Sequence, residues 1–199
     1  MRKLAVLASG SGTILASILD HNIPVELVLA DKPCKALEIA TDAHVSTALV
    51  SRRGFGYRPG IGNQWDRNGF TAQIAAVLIQ HKIEVVAMAG FMTVLHPVIF
   101  QSYGGRILNI HPALLPAFKG EFAVRDALAA GVKETGSTVH IATEKLDDET
   151  YILGQVKVPV VPGDSVDSLW ERIKIEEGER FELSRAYTQL AFQASAIGH

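Results

Sequence analysis

Arg106-Ile-Leu-Asn-Ile-His-Pro-Ala-Leu-Leu-Pro116 sets two polar residues into an apolar run and then meets a proline. Ile107, Leu108 and Ile110 read as a short buried strand. Side chains alternate across a strand, which points Asn109 and His111 to the same side. Pro112 has no N–H and cannot continue a central strand, so the pair falls at the strand's C-terminal end. In an open α/β sheet, ligands bind outside the carboxyl ends of the strands. A carboxamide that donates to an oxygen and an imidazole that moves a proton would stand together there. Such a pair suits attack on a carbonyl-like carbon. The same residues also suit a plainer role, as buried polar groups satisfied by nearby backbone.

The rest of the chain supplies the context. Its 199 residues are enough for one core and short for two. Hydrophobic residues make up 48% and charged residues 20%, an ordinary globular composition. A formal net charge of -2 argues against a general nucleic-acid or membrane-surface binder. A lone cysteine, Cys34, excludes an intramolecular disulfide and a thiolate zinc cluster, and fits a reduced, cytoplasmic setting. The apolar run after Arg2-Lys3 is too brief for a signal peptide, and no run reaches membrane-spanning length.

Strands alternate with helices through the first half. Leu4–Ala8, Pro24–Ala30, Thr47–Val50 and Val85–Ala89 read as strands, with helices over Ile14–Leu19, Lys35–Ala43 and Trp65–His81. Phe70, Ile74, Val77 and Leu78 share one face of the last of these. Ser9-Gly-Ser-Gly-Thr13 lies between strand and helix, where glycines let a phosphate approach helix N–H groups; a tight turn capped by Ser or Thr fits equally. The glycine-rich stretch Ser51–Asn63 is a loop, and Arg52, Arg53 and Arg58 in it read as solvated basic surface. After the central stretch come a helix over Glu121–Ala130, strands over Ser137–Thr143 and Tyr151–Val160, and an acidic loop, Glu144–Glu149, between those strands. A final helix runs from about Val166 to Ala194, capped by Asp164 or Ser165 and interrupted by Gly178, which costs about 1 kcal/mol relative to Ala. The pattern predicts an α/β fold: a mostly parallel sheet with helices on both faces and an antiparallel edge toward the C-terminus.

Taken together, Ala89-Gly-Phe-Met92, Leu108–Pro116 with Phe118-Lys-Gly120, Gly136-Ser-Thr-Val-His140, Leu146-Asp147, Val156–Val160 and Gly163-Asp164 resemble the folate-dependent glycinamide ribonucleotide (GAR) formyltransferases over almost the whole chain. The resemblance implies a single formyltransferase domain over 1–199 with the Rossmann-like formyltransferase fold. It implies transfer of the formyl group of 10-formyltetrahydrofolate to the amine of GAR in purine synthesis, with no metal. Catalysis would fall to Asn109, His111 and an aspartate. Counting forward from His140 selects Asp147; counting backward from Gln155 selects Asp148. The loop thus carries one extra residue, and Glu149-Thr150-Tyr151 stands where the family usually has a glycine. Asp147 is preferred because Lys145-Leu-Asp147 keeps the local context; either acid could instead be a solvated loop carboxylate.

The resemblance assigns Gly10, Ser11, Gly12 and Thr13 to the substrate phosphate and Glu177 to the ribose. It assigns Arg67, Met92, Thr93, Val94, Leu95, Asn109, Thr143 and Glu144 to the folate. Many relatives have Asn where this chain has Ile14, and a histidine where it has Gly178. His140 matches a strand histidine near the catalytic one, for which a buried structural role fits better. The implied partners are small molecules, with no nucleic acid or membrane, and the protein would be a monomer or homodimer. The nearest alternatives are a formyltetrahydrofolate hydrolase, expected to carry an extra N-terminal domain, and a formyltransferase with a different amine acceptor, such as a methionyl-tRNA formyltransferase with a basic C-terminal domain. The chain opens on its first strand and ends near the core, which favours neither. A non-catalytic nucleotide-binding module would explain Gly10–Thr13 but not the convergence of Asn109, His111 and an acid.

Overall fold

A computed structural model describes residues 2–62 and 64–180. The chain divides into two compact units, Met1–Ile107 and Leu108–His199. The first holds strands β1 (Leu4–Ala8), β2 (Val25–Ala30), β3 (Ser46–Leu49) and β4 (Val85–Met88). Its helices are α1 (Thr13–Asp20), α2 (Lys35–Asp42), α3 (Arg67–Gln80) and the short α4 (Phe100–Tyr103). The strands lie in the order β3-β2-β1-β4 and every pair is parallel. β1 is buried along its whole length, and Leu27–Ala30 and Val85–Ala87 are buried too. This is why these strands read as continuous apolar runs rather than alternating ones.

The second unit holds most of β5 (Ile107–His111), then β6 (Glu134–Ile141) and β7 (Ile152–Pro159), with α5 (Ala123–Ala129) and α6 (Val166–Arg180). The order is β5-β6-β7 and both pairs are antiparallel. The α/β class expected from the sequence therefore holds, with parallel strands first and antiparallel strands toward the C-terminus. Val124 of α5, Val156 and Val158 of β7, and Leu169 and Ile173 of α6 form one buried cluster. Gly136 permits the close β6–β7 pairing: a Cβ there would lie 1.8 Å from the Val156 carbonyl oxygen.

Several boundaries and roles differ from the sequence reading. β6 begins at Glu134, three residues before Ser137, because Thr135 and Gly136 pair with Val158 and Lys157. α3 begins at Arg67 because Asp66 caps it, its side chain accepting from the Gly69 amide at 2.8 Å. Ser165 caps α6 in a reciprocal arrangement: its hydroxyl accepts from the Ser168 amide, and the Ser168 hydroxyl accepts from the Ser165 amide. Asp164 instead takes both arms of the Arg172 guanidinium. The final helix beyond residue 180 lies outside the described residues. The 51–63 loop contains a 3-10 turn, Arg52–Phe55. Arg52 is not solvated surface: its Nε lies 3.1 Å from the buried Asp31 carboxylate, and its guanidinium sits 4.4 Å above the Tyr57 ring.

Candidate active site

The catalytic candidates meet in the second unit. In the β5–β6 ladder Asn109 stands opposite His140, and His111 opposite Thr138. Directly opposed side chains on one face touch, and the Asn109 Nδ2 lies 3.1 Å from the His140 Nε2. Burial pushes the His140 imidazole below its ordinary value, outweighing the neighbouring Asp147 carboxylate. The ring is therefore neutral near pH 7. Its Nδ1 faces the Ile141 carbonyl at 3.3 Å, so Nδ1 carries the proton and Nε2 accepts from the Asn109 amide. This fixes the carboxamide with one N–H committed and the second N–H available.

His111, also buried, is held at both ring nitrogens. Nδ1 lies 3.3 Å from Asp147 Oδ1, and Nε2 donates to the Phe118 carbonyl at 2.7 Å. Both ring nitrogens thus face oxygen acceptors. The other Asp147 oxygen accepts from the Gly120 amide at 2.7 Å. Phe118 and Asp147 both have positive φ, 52° and 46°. Non-glycine residues in that region cost of order 1–3 kcal/mol and gather at functional sites.

The two aspartates are not solvated loop carboxylates: Asp147 is 6% exposed and Asp148 7%. Their partners differ completely. Asp148 accepts from the Thr143 hydroxyl and from the Thr150 amide and hydroxyl, and so caps the 3-10 turn Glu149–Tyr151. The Thr150 hydroxyl, with that of Thr143, holds its carboxyl well below the usual range. Asp147 alone of the two reaches His111.

The turn after β5 is braced by Thr138. Its hydroxyl donates to the Ala113 carbonyl and accepts from the Leu115 amide and the Gln155 side chain. Neither Thr138 nor Gln155 was a candidate from sequence. The signal was present in part: Thr138 and His140, two apart, must share a face, as must Asn109 and His111. What the sequence withheld was the register that sets those faces together. Glu177 of α6 is buried and accepts a hydrogen bond from the Ser137 hydroxyl. It is not a solvent-facing helix charge. Thr143 is committed to Asp148, and Glu144 is exposed.

In the first unit, Gly12 is the N-cap of α1 at φ 75° and makes no side-chain cap bond. Only glycine fits there, since a Cβ would lie 2.9 Å from the Ala36 Cα. The Ser or Thr cap is thus not what starts α1; the Ser11 and Thr13 hydroxyls pair with each other at 3.1 Å. Gly10 and Ser11 are exposed, Thr13 is half-buried and Ile14 packs in the core, offering no polar contact. Arg67, half-buried, opens α3 and makes no ion pair among the described residues. The segment after β4 alternates: Met92 is 58% exposed, Thr93 buried, Val94 53% exposed and Leu95 half-buried. Plain core packing does not describe Met92 or Val94.

Residues 2–183 match the formyl transferase family model. The phosphoribosylglycinamide formyltransferase of Mycobacterium tuberculosis is 41% identical over 180 residues, covering 88% of this chain and 79% of that one. The human trifunctional purine biosynthetic protein adenosine-3 is 36% identical over 186 residues, 90% of this chain and 17% of that protein. Among solved structures, glycinamide ribonucleotide transformylase 1 of Symbiobacterium toebii superposes with a TM-score of 0.81 at 38% identity, covering 92% of this chain and 84% of that one. No helix among the described residues is long and apolar enough to cross a membrane. A family match over nearly the whole chain, and a phosphoribosylglycinamide formyltransferase 41% identical over 88% of it, place this chain in the formyl transferase family, among the phosphoribosylglycinamide formyltransferases.

Proposed function

We propose that the protein transfers the formyl group of 10-formyltetrahydrofolate to the primary amine of GAR, using Asn109, His111 and Asp147. One observation carries the assignment of roles. A carboxamide oriented by a neutral histidine stands on the same strand as an imidazole held by a buried carboxylate. Attack of the amine on the formyl carbon forms one C–N bond and leaves negative charge on the formyl oxygen. The second Asn109 N–H and the charge of a protonated His111 stabilise that oxygen. Collapse breaks the bond between the formyl carbon and the folate nitrogen. The amine loses one proton and the folate nitrogen gains one; Asp147 with His111 relays it, directly or through water.

Supporting roles follow the resemblance. Gly10–Thr13 receive the substrate phosphate, since the first turn of α1 has no side-chain cap competing for its N–H groups. Glu177 meets the ribose hydroxyls. Arg67 and Met92–Leu95 serve the folate, with the outward Met92 and Val94 side chains offering apolar surface to a flat ring. Thr143 and Glu144 contribute backbone or surface contacts to the same co-substrate. The family match spanning residues 2–183 supports one formyltransferase domain rather than two separate activities. In this reading the enzyme works in the cytoplasm, on small molecules alone, without a metal, as a monomer or homodimer.

The test is spectroscopic release of the deformylated folate, with GAR present and then omitted. Release that requires GAR supports the transferase. Equal release without GAR would identify a hydrolase instead.

A further inference from the structure

Among the described residues of the first unit, Asp31 is the one buried carboxylate, 1% exposed. It follows β2, and its contacts span the ends of two other strands of the same parallel set. One oxygen, Oδ2, accepts from the Thr93 hydroxyl at 2.6 Å and lies 3.1 Å from Arg52 Nε. Thr93 follows β4 and Arg52 follows β3. The other oxygen, Oδ1, is buried with no hydrogen-bond partner among the described residues. Among the described residues the carboxylate thus has one hydrogen-bond donor, Thr93, and one ion-pair partner, Arg52.

Arg52 is itself held in place. Its guanidinium lies 4.4 Å above the Tyr57 ring. Tyr57 packs edge-on against Trp65 at 5.6 Å, and Trp65 against the buried Phe70 at 5.3 Å. The 51–62 loop thus ends in an aromatic cluster that aims one cation at one buried acid. On the other side, the 92–96 segment is tied at successive points. The Met92 amide donates to the buried Ser9 hydroxyl at 3.0 Å, the Thr93 hydroxyl to Asp31, and the His96 amide to the Thr71 hydroxyl at 3.0 Å. With Thr93 pinned inward, its neighbours Met92 and Val94 are turned outward.

We propose that Arg52 and Asp31 are positioning residues for the co-substrate segment Met92–Leu95: Arg52 holds the buried Asp31 carboxylate on the Thr93 hydroxyl, and Thr93 fixes the backbone that presents Met92 and Val94. The proposal rests on the reading that this segment meets the folate. Its physical basis is the cost of a half-satisfied buried charge. Without Arg52, Asp31 keeps a single neutral donor, and a buried carboxylate so placed draws in water or moves. The Thr93 contact then loosens, and with it the segment's backbone. Lysine is no substitute, because it carries no planar group to stack on Tyr57 while pairing with the Asp31 carboxylate.

Steady-state kinetics of Arg52→Ala, Arg52→Lys and Thr93→Val test this, with Met92→Ala as the reference for the segment itself. Arg52→Ala should raise KM for formyl-folate about tenfold, the scale of one lost buried hydrogen bond, while kcat and KM for GAR stay within about twofold. Arg52→Lys should recover little of it. Thr93→Val, which removes only a hydroxyl and keeps the volume, should raise the folate KM similarly, and it tests the tie even where Arg52→Ala fails to fold. A folate KM unchanged in Thr93→Val and Arg52→Lys, with Met92→Ala raising it, overturns the clamp and leaves the segment's folate role standing. A folate KM unchanged in Met92→Ala removes the folate reading and the clamp with it. Parallel loss of kcat and both KM values in Arg52→Ala and Thr93→Val would mark a merely structural role, and would also overturn the proposal.

Discussion

Asp147 and Asp148 are chain neighbours with different occupations. Asp147 spends one oxygen on His111 and the other on the Gly120 amide, whereas Asp148 spends both on Thr143 and Thr150. Asp147→Asn should therefore cut the transfer rate on the order of 10²-fold, because the carboxylate proposed to relay the proton is lost. Asp148→Asn should keep most activity and lower thermal stability, because it weakens a turn. Matched kinetics and melting curves of the two variants check this; equal rates would refute the division of labour. His140 gives a second residue-scale outcome. Burial lowers its value in the folded protein, while the unfolded chain titrates near the ordinary ~6.5. Below that pH the unfolded state binds more protons, so stability falls as pH drops and levels off above it. His140→Gln keeps an acceptor for Asn109 but cannot titrate. Its unfolding free energy should fall less steeply than wild type between about pH 6.5 and 5.

At the scale of elements, the β6–β7 pair depends on one absent side chain. Gly136→Ala would place a Cβ against the Val156 carbonyl. The ladder must then part locally, at a cost of about 3 kcal/mol or more, read directly from denaturant midpoints. Elements were also where the sequence was most legible. Apolar runs marked β1, β2, β4 and β5, and period 3.6 marked the face of α3 that buries Phe70, Ile74 and Leu78. Ends were less legible where a partner strand or a cap decides them, as at Glu134 and Asp66. Arg52 was misplaced on the surface for the same reason. Its partner Asp31 follows another strand, and nothing in a glycine-rich loop announces which arginine turns inward.

For the molecule as a whole, the first unit carries Gly10–Thr13, Arg67 and Met92–Leu95, and the second carries Asn109, His111, Asp147 and Glu177. The alternation of strands and helices was enough to predict the class of fold. The candidate site was legible as residue types and spacing around Asn109 and His111. It was not legible as a network, because the roles of His140, Thr138 and the Phe118 carbonyl depend on the β5–β6 register and on a loop conformation. The departures at Ile14 and Glu149 resolve differently: the first is core, and the second pairs with Lys119 beside the Asp147 turn. In the proposed mechanism this strand pair acts on the transition state rather than on binding. Its most direct test is the single-turnover formyl-transfer rate of Asn109→Ala, measured alongside its dissociation constant for a folate analogue. The rate should fall by about 10²–10³, the scale of one lost oxyanion donor, with the dissociation constant changed by only a few-fold. A rate near that of the wild type, or a fall in rate matched by an equal loss of binding, would contradict it.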